Sequence, residues 1–213
     1  MQLDYAQARQ GFEDQGQVFL GLVADTEDLS MASGLDRWDC AALVGHVSTA
    51  IEALWRWQGS PADGDVEVSA ATWLDLGGED QADQNADFSI RYAAKRTHDQ
   101  MRDLIAAAVR RGGDTIAATS PDGALLLPLP GIWARFDQAI ASRVLELTVH
   151  GLDLASAIGS TVRPAPAALT VTGAILDERL DGERPSDLGD DYAWVLAATG
   201  RAPHPDTRLP VMR

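Results

Sequence analysis

Glu146 and His150 stand four residues apart in the stretch RVLELTVHGLDLASAIG, residues 143–159. On a helix, side chains at this spacing share a face, with Cβ atoms roughly 5–6 Å apart. A carboxylate and an imidazole so placed can form a helix-surface contact worth roughly 0.2–0.5 kcal/mol, or they can converge on an ion. Val144, Leu147 and Leu154 surround the pair, and an uncompensated carboxylate in such a setting is costly. Ionised carboxylate and neutral imidazole both bind divalent metals well. Helical bundles build metal sites from inward Glu and His side chains on facing helices.

The other histidines divide by their surroundings. His46, in LVGHVST, has Ala42, Thr49, Ala50 and Ala53 as its helical neighbours. It is either a core histidine bonded to a carbonyl or a ligand with room for a cavity beside it. His98, amid the charges of KRTHDQ, reads as solvated, and His204, in the proline-rich RAPHPD, reads as a surface residue of the tail. Cys40 is the one cysteine, which excludes an internal disulfide and a thiolate metal cluster. It falls in the first turn of a helix, where the dipole can lower a thiol pKa. Its six-residue separation from His46 is about 9 Å of helix rise, on another face. Cys40 is expected to pack rather than react.

The elements that must position these groups are helices. Apolar residues recur at helical spacing from about Asp4 to Ala24 and in RWDCAALVGHVSTAIEALWRW, with Asp39 as N-cap. The same pattern runs from about Asp87 to Arg111, with RRGG as a stop, and from about Ile132 to Ile158, before Gly159. No alternating β-branched run of strand length appears, and VEVSA and ALLLPLP are at most short extended pieces. The fold expected is all-α: a four-helix bundle over residues 1–160, with 161–213 as a short helical extension packed on it. The acidic link at 60–84 is long enough, at roughly 3.3 Å per residue, to return along a whole helix, so helices two and three can run parallel. The apolar LLLPLPG stretch is expected to cover the bundle end, wall a pocket or form a homodimer interface.

The 213 residues carry 17 Lys and Arg against 32 Asp and Glu, a formal charge of −15. That balance argues against binding a phosphate backbone and against docking on an anionic membrane. No segment reaches the roughly 20 apolar residues that span a bilayer, and MQLDYAQARQ does not resemble a signal peptide. A cytoplasmic protein acting on small molecules is expected.

Two motifs, Trp38-x7-His46 and RVLELTVHGLDLA (Arg143 to Ala155), resemble the DinB-like metalloprotein superfamily. Within it the chain is most similar to the mycothiol-dependent maleylpyruvate isomerase family, N-terminal domain type, over roughly residues 5–160. The resemblance implies a DinB-like bundle holding a divalent metal, usually zinc, on His46, Glu146 and His150. Nickel or iron suits the same donors. It further implies mycothiol as a thiol cosubstrate, attacking a small electrophilic substrate in an isomerisation or S-transfer. Asp153 and Arg143 match the family pattern as supporting residues, and Arg201 is placed, by position in the tail, as a cofactor-binding residue. The chain departs from the family in having Ala42 where an acidic residue is common, and a short helical segment where the full isomerase has a larger α/β domain. A non-catalytic metal-binding module, acting as ligand sensor or partner-binding protein, and a metal-dependent hydrolase are the competing readings.

Overall fold

A computed structural model describes residues 4–76, 81–180 and 182–212. The elements run α1 (Tyr5–Asp25), α2 (Cys40–Arg56), β1 (Gln58–Gly59), β2 (Val66–Glu67), α3 (Ala70–Trp73) and α4 (Gln81–Ala93). They continue with α5 (His98–Ala118), β3 (Ala124–Leu126), β4 (Ile132–Arg135), α6 (Phe136–Ala157), α7 (Pro166–Arg179) and α8 (Asp191–Ala198). Two of the predicted starts carry side-chain caps: the Asp4 carboxylate accepts from Ala6 N–H and that of Asp39 from Ala42 N–H.

α1, α2, α5 and α6 form the bundle, and their contacts give its directions. Gly45 of α2 lies against Met101 of α5, and Ile51 lies against Gly112, so these two helices run parallel. α1 and α6 are also parallel, since Gly11 meets Val144 while Phe19 and Leu22 meet Gly151. α2 opposes α6, with Arg143 Nη1 donating to the Ala50 carbonyl and His46 beside Glu146. Parallel α2 and α5 require a return connection, and the 60–84 link, with β2, α3 and the start of α4, supplies it. Residues 77–80 of that link lie outside the described residues.

The third predicted helix is two helices. Thr97 opens α5 with a reciprocal capping box, its side chain bonded to Gln100 N–H and the Gln100 side chain bonded back to Thr97 N–H. Nor does RRGG stop the chain: α5 continues to Ala118. A Cβ at Gly112 would stand 2.7 Å from Phe12 Cζ and 3.0 Å from Ile51 Cγ2, so this glycine lets three helices approach one another.

The all-α expectation also omits a small sheet, in the order β1-β3-β4-β2. β3 pairs antiparallel with β1 and β4, and β2 pairs parallel with β4. β2 and β3 are the extended pieces of VEVSA and ALLLPLP, and β4 replaces the first turn expected of the fourth helix. Strands of two to four residues are too short to show alternation. Leu125, Leu127 and Ala134 bury the inner side of this sheet.

α6 is buried along most of its length and is the central helix. α7 packs on α1 and α6. Gln15, fully buried, joins them by donating to the Leu147 carbonyl and accepting from Ala165 N–H. Leu152 of α6 joins Leu169, Leu176, Trp194 and Val195 in a second apolar cluster that holds α8 and the tail. Among the described residues, no helix is long and apolar enough to cross a membrane.

Candidate metal centre

The fold brings three of the singled-out residues together. His46 Nε2 lies 3.2 Å from Glu146 Oε2, and His150 Nε2 lies 3.3 Å from the same oxygen. One ligand atom from each residue falls within 4.8 Å of the other two, the one such set among the described residues. The side chains are 14–17% exposed. α6 supplies the carboxylate and one imidazole on successive turns, and antiparallel α2 supplies the other imidazole at the same height.

The surroundings fix the rings. His150 Nδ1 is 3.0 Å from Asp153 Oδ2. An ionised carboxylate only accepts, so Nδ1 carries a proton and Nε2 is the atom turned to Glu146. Arg201 then grips Asp153, with Nε 2.8 Å from Oδ1 and Nη2 2.6 Å from Oδ2. Trp38 packs over both imidazoles, its ring centroid 4.8 Å from His46 and 5.6 Å from His150. The loop before α2 anchors Trp38, whose carbonyl accepts from the Ser33 amide and hydroxyl.

Electrostatics favour charge on all three members of the Glu146–His150–Asp153 row. Burial opposes ionisation of Glu146, but hydrogen bonds from His150 and His46 and their charges hold it well below the usual carboxylate range. Burial likewise pulls His150 down, yet its bonds to Asp153 and Glu146 outweigh that and raise it to about 9. Asp153, desolvated but bonded to His150 and Arg201, is lowered. Without a cation, a proton on His150, together with the Arg201 guanidinium, balances the two carboxylates. Two imidazoles and a carboxylate are a good donor set for zinc, and Nδ1–H bonded to Asp153 is the support a metal-ligating histidine ordinarily has.

His46 and Glu146 line a cavity of about 710 Å³. The LLLPLP stretch forms part of its wall through Leu127, Pro128 and Leu129. Trp57, Trp73, Phe88 and Tyr92 supply aromatic surface, and Arg143 enters from α6. The aromatic wall was not singled out from the sequence, because it is assembled from three separate places in the chain: the end of α2, α3 and α4.

The remaining singled-out residues lie apart from the three. His98 begins α5, 3.7 Å from Asp28 at the surface. His204 lies in the tail between Asp187 and Asp206, its side chain only 10% exposed. Arg201 reaches the site only through Asp153. Cys40 is fully buried, and burial, with Asp39 and Asp28 nearby, pushes its thiol up, away from the reactive thiolate.

Fold and site together define a class: a four-helix bundle with an inward set of two histidines and one carboxylate able to hold a divalent ion. The chain belongs to the family described as mycothiol maleylpyruvate isomerase N-terminal domain, whose sequence profile matches residues 12–155. Two solved structures share its fold. One is the mycothiol-dependent maleylpyruvate isomerase, 16% identical with a TM-score of 0.58, the match covering 85% of this chain and 74% of that one. The other is a histidine-to-alanine mutant of a mycothiol-dependent maleylpyruvate isomerase, 17% identical with a TM-score of 0.57 and the same coverage. No curated protein sequence matches the chain significantly.

Proposed function

We propose that this protein is a metal-dependent enzyme that uses a low-molecular-weight thiol, mycothiol, to isomerise or S-transfer onto a small electrophilic substrate. The observation that carries this reading is the convergence of His46, Glu146 and His150 within 4.8 Å, with His46 and Glu146 lining the cavity, in a chain of this family. These three residues hold the ion, zinc being favoured by the donor set. Three protein ligands leave coordination positions open, as in catalytic rather than structural zinc sites. A divalent ion there supplies a Lewis acid that favours the ionised form of a thiol.

The chain's own groups prepare that chemistry. Asp153 keeps the His150 Nδ1 proton and so directs Nε2 to the ion. Glu146 contributes one negative charge against a dication, leaving net positive charge to attract an anionic thiolate. Trp38 covers the imidazole faces. The buried Cys40 is not available as a nucleophile, so the thiol comes from outside. Ionising a thiol of pKa about 8.5 at neutral pH costs about 2 kcal/mol, which the cation offsets.

Cobalt-loaded protein gives the direct test. Titrating mycothiol should produce a near-ultraviolet sulfur-to-cobalt band with proton release, and His46→Ala or Glu146→Ala should lose the metal. Full metal occupancy in both variants, or tight thiol binding with neither signal, would refute the reading.

A further inference from the structure

Arg143 is the more deeply buried of the two arginines at the cavity, 6% exposed. Arg179, Arg184 and Arg201, which are also largely covered, each pair with an aspartate. Among the described residues, no carboxylate lies within ion-pair distance of Arg143, although acidic side chains outnumber basic ones almost two to one. Nη1 donates to the Ala50 carbonyl at 2.7 Å, and Nε is buried with no hydrogen-bond partner. The guanidinium also stacks on Trp73, 4.7 Å from the ring centroid. Glu146, one turn further on, is the acidic neighbour, but its Oε2 is engaged by both histidines. A largely desolvated guanidinium that lines a cavity without a carboxylate partner is costly unless a ligand completes it.

The walls specify the rest of that ligand. Trp57 and Trp73 lie with ring centroids 6.2 Å apart, Phe88 stacks on Tyr92 at 5.7 Å, and Leu127 and Leu129 close the side. The volume falls among small-molecule sites, roughly 300–1,000 Å³. An anion without an apolar body would satisfy the arginine and leave these walls bare.

The geometry points to Arg143 as the receptor for the carboxylate of an organic acid whose body is apolar, ring- or chain-bearing, and lies against the Trp57–Trp73 and Phe88–Tyr92 walls. This deepens the reading of the cavity as the reaction site, and it names the substrate class. A guanidinium suits the task because its planar donors match a carboxylate two at a time. The competing role for Arg143 is purely structural, tying α6 to α2 and Trp73.

The test titrates full-length protein of measured metal content with 3-phenylpropionate and with 3-phenylpropanamide, which differ in charge and hardly in size. The acid should bind about tenfold or more tightly. Arg143→Met should abolish that preference and Arg143→Lys should keep part of it, with metal content unchanged. Equal binding of acid and amide by the unaltered protein overturns the proposal without needing any folded variant. A preference that survives in both variants does so too, by assigning the acid to the ion, and inorganic phosphate binding as tightly as the acid removes the apolar requirement. The metal and thiol measurements on the proposed function use neither Arg143 nor the acid, so each idea can fail alone.

Discussion

Arg201 holds both carboxylate oxygens of Asp153, at 2.8 and 2.6 Å, while the same carboxylate accepts a hydrogen bond from His150 Nδ1–H. A residue of the C-terminal tail is thereby linked to the candidate metal centre through one side chain. The Arg201 main chain is itself fixed, its N–H donating to the Leu196 carbonyl and its Nη1 to that of Thr199. Orientation of His150 thus depends on the packing of α8 and the tail against α6.

Arg201→Met should therefore weaken metal binding about 10- to 100-fold, the usual cost of removing support behind a metal-ligating histidine. Arg201→Lys should fall between, because an ammonium cannot grip two oxygens as a guanidinium does. Competition against a chromophoric chelator measures both. Unchanged affinity in Arg201→Met, at unchanged thermal stability, would limit Arg201 to fastening the tail.

Cys40 offers a test of where the reacting sulfur comes from. It is fully buried, and its thiol is pushed up, so Cys40→Ala should retain metal and mycothiol-dependent turnover. The small cavity left should cost stability on the order of 1 kcal/mol. Loss of turnover without loss of metal or fold would bring Cys40 into the chemistry.

Gly112 and Gly113 form an internal control in α5. Gly112→Ala forces a methyl into Phe12 and Ile51, at 2.7 and 3.0 Å, and overpacking of this kind costs about 1–3 kcal/mol. The helix-propensity gain of about 1 kcal/mol offsets only part of that. Gly113→Ala meets nothing within 4 Å and should stabilise by about 0.5–1 kcal/mol. Denaturant melts of the two variants should move in opposite directions; the same sign in both would remove the close-approach explanation.

That glycine pair also shows what a sequence reading reaches. Helical periodicity located α1, α2 and most of α6, because their apolar stripes are long. The RRGG reading failed because the need for Gly112 arises from Phe12 and Ile51, which are distant in sequence. The break before α5 was locally written, in Thr97 and Gln100, and went unread beside the continuing apolar spacing of Ile90, Ala94 and Met101. Glu146 and His150 were legible as a pair because one helix sets their separation. Joining His46 to them took either the family resemblance or the antiparallel packing of α2 on α6. The solitary state of Arg143 has no local signature, since it depends on what Ala50, Trp73 and the cavity place around it.

The charge row at the centre predicts an unusual pH profile for the metal-free chain. His150 is raised from 6.5 to about 9 in the fold. Its protonated form therefore contributes stability that is fully present below pH 6.5 and is lost as pH rises through about 9. Glu146 and Asp153 are lowered from 4.5 and 3.8; their contribution is present above those values and is lost as pH falls through their lower folded values. The metal-free protein should consequently be most stable on the acid side of neutrality and weaken steadily from pH 6.5 to 9. A bound cation takes over the role of the His150 proton, so the zinc-loaded protein should not show that decline, and the stabilisation zinc confers should grow over the same interval. Thermal melts from pH 5 to 10, with chelator and with one equivalent of zinc, compare the two. His150→Gln removes the titrating ring and should flatten the chelated profile. A chelated wild-type profile already flat between pH 6.5 and 9, or one whose slope His150→Gln leaves unchanged, would mean that the proton on His150 does not balance the carboxylates in the fold.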